Sequence, residues 1–263
     1  MSIGTAAPTE EELSTAQHHF IHHKSIHDSY SVGDFEIDAI SKLSELFEKH
    51  SILILVGGSG LYVDAVTKGL DTFPKVDPAI RSSLNERLET EGLEALQIEL
   101  KHLDPVSYNT LEIQNPHRVI RALEVSIGSG KLYSSFLTNQ RKTRPFDVVT
   151  VGLNADRNII YERINQRVDQ MMEEGLLDEA KSLYEHQDLN ALNTVGYKEL
   201  FKFFDKNWSK EMAISEIKKN TRRFAKRQLT WFRKDPSILW FDHLTDHQNI
   251  CRRIAQKIEK PTG

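Results

Sequence analysis

Cysteine is almost absent: Cys251 is the only one in 263 residues. No intramolecular disulfide can form, no Cys-based zinc cluster can be assembled, and a reducing compartment suits the chain. A secretory apolar segment is also missing, because the opening MSIGTAAPTEEELSTAQ is polar and acidic. Long hydrophobic runs are lacking too, and an unbroken stretch such as Ile52 to Val56 is far too short to span a bilayer. Nor is there an excess of positive charge, since the formal net charge of −4 counts against a general nucleic-acid coat. These absences predict a soluble cytoplasmic protein with no membrane partner. With 39% hydrophobic and 27% charged residues the chain has the balance of an ordinary globular protein rather than a disordered one.

The pattern along the chain predicts an α/β fold. Residues 1 to 30 read as loop, with Gly4, Pro8 and the His-rich HHFIHHKSIH, and an amphipathic helix follows from Ser31. The run Ile52 to Val56 then meets the glycine turn VGGSGLY. A wholly apolar run bounded by glycine is what a strand covered on both faces looks like, so a strand, turn and helix are expected here. From Phe73 to about Pro145 the pattern is helical, with Asp77 and Asn115 placed before prolines as helix N-caps. A second strand is expected in DVVTVGLN, a long helix in ADRNIIYERINQRVDQMMEEGLLDEAKSLYEH, and a last strand in SILWFD. Three strands separated by helices imply a parallel sheet with helices on its faces. The expected organisation is an α/β core over 1–73 and 146–263 with a helical insertion over 74–145.

Four clusters could carry chemistry. Gly57, Gly58 and Gly60 stand at the carboxyl end of the expected strand, where α/β sheets place ligands, and Ser59 adds a hydroxyl. A bare GGSG turn serves a plain strand-to-helix connection as readily as an anion site. Residues 218 to 234, KKNTRRFAKRQLTWFRK, hold eight Lys or Arg and no acid. On a helix Arg222 and Lys226 share one side, as do Arg223 and Arg227, while Phe224, Leu229 and Phe232 pack inward and Trp231 is a core residue. Phosphate or RNA contact is favoured there over a merely solvated face. The histidines of HHFIHH include His18 and His22 at a metal-ligand spacing. With no HExxH glutamate and no Cys partner, they read as structural or surface residues, and no metal ligand is assigned. Arg118 and Arg121, three apart in NPHRVIRALEV, fit an ion pair as well as a binding site.

Taken in order, IGTAAPT, HHFI, YSVGDF, LVGGSGLYVDAV, QNPHRVIRALEV, RINQRVDQMMEEGLLDE, TVGYKEL and TRRFAKRQLTWFRK resemble the tRNA dimethylallyltransferase family, from Ile3 to about Asp242. The resemblance implies a P-loop-like α/β core and an insertion that grips the anticodon arm. It also implies transfer of a dimethylallyl group from dimethylallyl diphosphate to the exocyclic amine of the adenine just 3′ of the anticodon, assisted by Mg²⁺, in a monomer. Ser59 and Arg222 would then be catalytic. Gly57, Gly58, Gly60, Arg222 and Lys226 would meet the diphosphate. Arg81, the segment His117, Arg118, Val119, Ile120 and Arg121, and the segment Val195, Gly196, Tyr197 and Lys198 would meet tRNA.

The family begins with a strand, a P-loop and an Asp-Ser-x-Gln segment ahead of IGTAAPT. No G-x-x-x-x-G-K-[ST] pattern occurs in these 263 residues, so the first strand, the P-loop and its Mg²⁺ ligand are absent from them. This polypeptide by itself is therefore expected to be catalytically incompetent. Two other readings stay open: an adenylate isopentenyltransferase acting on free nucleotides, and a non-catalytic tRNA-binding remnant.

Overall fold

The computed structural model describes residues 1–138 and 142–259; parts of the helical stretch and of the carboxyl-terminal core expected above, residues 139–141 and 260–263, lie outside them. The described chain forms two compact units, Met1–Val63 with Pro145–Gly263, and Asp64–Arg144. The divisions fall after Val63 and Arg144, whereas the sequence pattern puts them after Phe73 and Pro145.

The second unit is helical. Its helices are α4 (Pro78–Glu91), α5 (Leu93–Leu103), α6 (Pro105–Thr110) and α7 (Pro116–Ser129), preceded by the end of α3 (Gly60–Thr67). Capping explains the boundaries: Asp77 accepts a hydrogen bond from Ala79 N at 2.9 Å and Asn115 from His117 N at 3.1 Å, each just before a proline at the first helical position. The expected caps are thus the observed ones. Leu84, Leu96, Leu100, Val119, Ile120, Ala122 and Leu123 close the core between α4, α5 and α7.

The first unit holds α1 (Glu10–Thr15), α2 (Val32–Phe47), β1 (Val151–Asn154), α8 (Arg157–Glu173), α9 (Leu176–Ser182), α10 (Tyr197–Phe204), α11 (Lys210–Phe232), β2 (Leu239–Asp242) and α12 (His247–Ile258). β1 and β2 pair in parallel, with Val151 opposite Leu239, and the helices α8 to α11 lie between them in sequence. The fold is α/β. Its apolar core is built from α8 to α11, around Val168, Leu176, Tyr197, Leu200, Phe201 and Ile217.

Three sequence expectations are corrected. α1 occupies part of the expected loop, because Thr9 and Glu12 form a capping box: Glu12 N donates to the Thr9 hydroxyl and Thr9 N to the Glu12 carboxylate. The expected long helix after β1 breaks at Gly175, whose φ of 103° only glycine adopts without strain, and restarts as α9. The run Ile52 to Val56 is not a strand, and Ile54 and Val56 are 86% and 87% exposed. Among the described residues the sheet has two strands rather than three. An apolar run becomes a strand only when a neighbour accepts and donates its ladder hydrogen bonds, and among the described residues no strand pairs with this one.

Candidate functional site

Two ridges meet where α8 packs on α11. Arg157, Tyr161, Asn165 and Asp169 recur every fourth residue on α8 and so share one face. Opposite them stand Lys218 and Arg222 of α11. Lys218 Nζ lies 2.6 Å from the Asp169 carboxylate. The Arg222 guanidinium donates to Asn165 Oδ1 at 2.6 Å and lies 5.9 Å from the centre of the Tyr161 ring. Arg157 donates through Nε to the Tyr161 hydroxyl at 2.9 Å, and its guanidinium lies 4.9 Å from the same ring. Two guanidiniums therefore flank one phenol, and Arg222 is held in one orientation by a neutral amide that leaves its charge intact. Such a fixed cation can meet a charge that develops elsewhere without first reorganising.

The basic segment lacks an acid only along the sequence. Asp169 for Lys218 comes from α8, and Lys219 pairs with Glu216 at 2.7 Å just upstream. Phe224 does not pack inward as expected: it is exposed, and Arg227 lies over its ring at 5.6 Å. Trp231 is not a core residue either, being 40% exposed.

The glycine turn also reaches α11. A Cβ on Gly58 would fall 2.1 Å from the Gln228 amide nitrogen, which would have to move aside, and one on Gly60 2.3 Å from Cδ1 of the bulky Trp231 ring. Gly57 faces open space and Ser59 is exposed at the start of α3. At about 100° per residue, Arg222 and Lys226 are separated by roughly 40° around α11, while Gln228 is roughly 120° from Arg222 and 160° from Lys226. The structure thus brings Gly58 and Gly60 onto α11, but on a different side from the Arg222–Lys226 edge.

A carboxylate missed in the sequence ties three of the quoted segments together. Glu179 of α9 accepts hydrogen bonds from the backbone N–H of Ser2, Ile3 and Gly4 at 2.7, 3.1 and 2.9 Å, and from the Tyr197 hydroxyl at 2.6 Å. Burial pushes its carboxyl up, but the Gly4 amide, the Tyr197 hydroxyl and the two other amides outweigh it and hold it below the usual carboxylate range. Tyr197 is pushed up by burial and by that carboxylate. Gly4 lies against the Tyr197 ring, where a Cβ would fall 2.6 Å from Cζ. Tyr197 is fully buried, so its side chain has no surface to offer an RNA, and its role is corrected to packing. Beside it Val195 is half-buried, Lys198 is exposed, and Gly196 (φ 107°) donates its N–H to Glu199 Oε2 at 2.8 Å. Glu199, itself buried, also accepts from Asn220 Nδ2 of α11 at 2.8 Å.

In the second unit, Arg81 of α4 and Arg121 of α7 converge on one oxygen of Glu124, at 3.1 and 3.0 Å. Two guanidiniums share one carboxylate, which leaves a net positive charge. Arg118 pairs with Glu112 at 3.4 Å on the open surface, and His117 is exposed. Val119 and Ile120 belong to the hydrophobic core at 0% and 2% exposure, so they too are corrected from RNA contacts to packing.

The histidines disperse. His22 lies 3.1 Å from the Met1 carbonyl oxygen and His23 packs edge-on against Phe20 and Tyr30. Among the described residues no group of three or more His, Cys, Asp or Glu could hold a metal ion. No helix among the described residues is long and apolar enough to cross a membrane.

Comparison with known proteins bears on the whole chain. Residues 1–235 match the family model described as IPP transferase. The chain is 60% identical to the tRNA dimethylallyltransferase of Christiangramia forsetii over 98% of its own length and 85% of that protein's. It is 54% identical to the enzyme of the same name from Flavobacterium johnsoniae, over 98% and 86%. Among solved structures, the full-length tRNA isopentenylpyrophosphate transferase of Bacillus halodurans superposes with a TM-score of 0.68 at 38% identity, covering 98% of this chain and 82% of that one. A family match over most of the residues, relatives this close and a shared fold agree: the chain belongs to the IPP transferase family.

Proposed function

We propose that this chain serves the transfer of a dimethylallyl group from dimethylallyl diphosphate to the N6 amine of the adenine 3′ of the tRNA anticodon. In that reaction the amine nitrogen forms a bond to the first carbon of the dimethylallyl group, the bond from that carbon to the diphosphate oxygen breaks, and the amine gives up a proton. Negative charge grows on the departing oxygen. The observation that carries the assignment is the fixed Arg222 guanidinium, hydrogen-bonded to Asn165 and set over Tyr161, in a family whose relatives bear this activity in their names. A guanidinium stays charged at any relevant pH and can bridge two phosphate oxygens. Arg222 would thus stabilise the leaving diphosphate, and Lys226, roughly 40° away around the same helix, would add a second cation. Ser59 and the glycine turn lie on another side of α11, and we assign them to orienting the prenyl donor or the amine rather than to the Arg222 edge. The shared positive cluster of Arg81 and Arg121, together with Arg118, His117 and Lys198, would contact the anticodon arm. Mg²⁺ would supply further charge on the diphosphate, without a ligand set assigned on this chain.

The test is incubation of the full chain with labelled dimethylallyl diphosphate, Mg²⁺ and an anticodon stem-loop RNA having adenine 3′ of the anticodon. Label in that adenine is expected when the P-loop segment that the family carries ahead of IGTAAPT is present in the protein assayed. Label in free AMP but not in RNA would overturn the choice of acceptor, and RNA binding without any transfer would leave the chain a binding module.

A further inference from the structure

Arg121 is set differently from an arginine that reaches for a phosphate. Its charge already faces Glu124 at 3.0 Å, and the guanidinium carbon lies over the Phe73 ring, 5.3 Å from its centre. Phe73 in turn stacks on Tyr133, with centroids 5.1 Å apart and planes within 10°. That backing is fixed. Tyr133 N donates to the Ser126 hydroxyl at 2.9 Å, and the next residue, Ser134, donates through N and Oγ to Asp104 at 2.8 and 2.9 Å. Phe73, Arg121 and Tyr133 are all half-buried, and the Arg121 side chain keeps 38% of its surface exposed. A planar cation held against an aromatic ring, with its orientation already fixed, can stack a flat π-system at little entropic cost.

We propose that Arg121 is a stacking platform that takes one unpaired nucleobase of an RNA loop on its exposed face, with the Phe73 and Tyr133 rings as its support. This rests on the tRNA-binding reading above and sharpens it: Arg121 recognises a base, and the net charge shared with Arg81 draws the RNA without placing Arg121 on a phosphate. Lysine at this position keeps the charge and loses the plane. Leucine in place of Phe73 keeps Arg121 and removes its support.

The experiment measures binding of the full chain to an anticodon stem-loop hairpin with 2-aminopurine placed in turn at each unpaired loop position, at several salt concentrations, alongside thermal unfolding. With the parent protein, binding is expected to change the emission at one position. Arg121→Lys should abolish that change and weaken affinity by about tenfold, in keeping with the loss of one stacked base, with the salt slope and melting temperature unaltered. Phe73→Leu should weaken the same signal. Parent-like emission and affinity in both variants would overturn the proposal. So would a salt slope reduced by about one unit in Arg121→Lys, which marks a phosphate contact, or an affinity loss explained by a lowered melting temperature. Failure of the parent to bind the hairpin at any salt concentration would instead remove the tRNA reading itself, and this proposal with it.

Discussion

Asp104 and Glu179 solve the same problem in the two units by different routes. Each carboxylate accepts four hydrogen bonds from backbone N–H and hydroxyl groups. The donors to Asp104 are Ser107 and Ser134, three and 30 residues away. Three of the donors to Glu179 lie 175 to 177 residues away, in Ser2, Ile3 and Gly4. The helical unit is thus stitched by near neighbours, and the α/β unit by segments that meet only once the whole chain has folded. Among the arginines the contrast holds only in part, since Arg81 of the helical unit reaches Glu124, 43 residues away. Arg118 finds Glu112 six residues upstream, whereas Arg222 is oriented by Asn165 from another helix, 57 residues earlier.

If remote fixing is what matters for chemistry, Arg222→Ala, made in a protein that also carries the family's P-loop segment, should have the largest effect. Transition-state stabilisation is expected to fall by about 2 to 4 kcal/mol, the usual cost of removing a preorganised charge. Steady-state kinetics with varied dimethylallyl diphosphate check it, and unchanged rates would break the link between the α8–α11 junction and the diphosphate.

A smaller effect separates the two carboxylates. Glu179→Gln turns an amide NH₂ toward backbone N–H donors and should cost about 1 to 3 kcal/mol, as should Asp104→Asn. Hydrogen exchange is expected to rise at Ser2 to Gly4 in the first variant and to stay local to Ser107 and Ser134 in the second. Both carboxyls are held below their ordinary values of 4.5 and 3.8: for each, burial acts upward and the donated hydrogen bonds outweigh it. A depressed native pKa gives stability that is complete above the ordinary value and lost as pH falls through the native one. Acid unfolding curves below about pH 4 should therefore flatten in either variant. An acid limb identical to the parent's would show that other groups govern it.

The smallest expected effect belongs to the locally paired Arg118, exposed with its partner Glu112. Surface ion pairs contribute about 0 to 1 kcal/mol, so Arg118→Ala should leave stability nearly unchanged. If Arg118 meets an RNA phosphate, the slope of log affinity against log salt should drop by about one unit or less. An unaltered slope would place Arg118 outside the RNA contacts.

The difference in legibility follows the same line. The caps Asp77 and Asn115, each before a proline, were readable because a cap and its helix are neighbours in sequence. The Thr9–Glu12 capping box was equally local, and the signal T-x-x-E stood in plain view within a segment read as loop. The ridge Arg157, Tyr161, Asn165 and Asp169 had a visible four-residue spacing, but nothing along the chain says which helix it faces. The burial of Val119, Ile120 and Tyr197 inside matching motifs shows that a shared motif can mark packing as readily as contact with a substrate.

By itself, the sequence determined the family, the α/β character, the helix starts at Asp77 and Asn115 and the acid-free basic stretch, because each depends on spacing or composition over a few residues. Only the tertiary structure decided that Asn165 orients Arg222, that Glu179 gathers the amino-terminal backbone, and that Arg81 and Arg121 share Glu124. It also decided against a strand at Ile52 to Val56. A strand is defined by the hydrogen bonds of its neighbour and an ion pair by the geometry of its partner, and neither is written in the local order of residues.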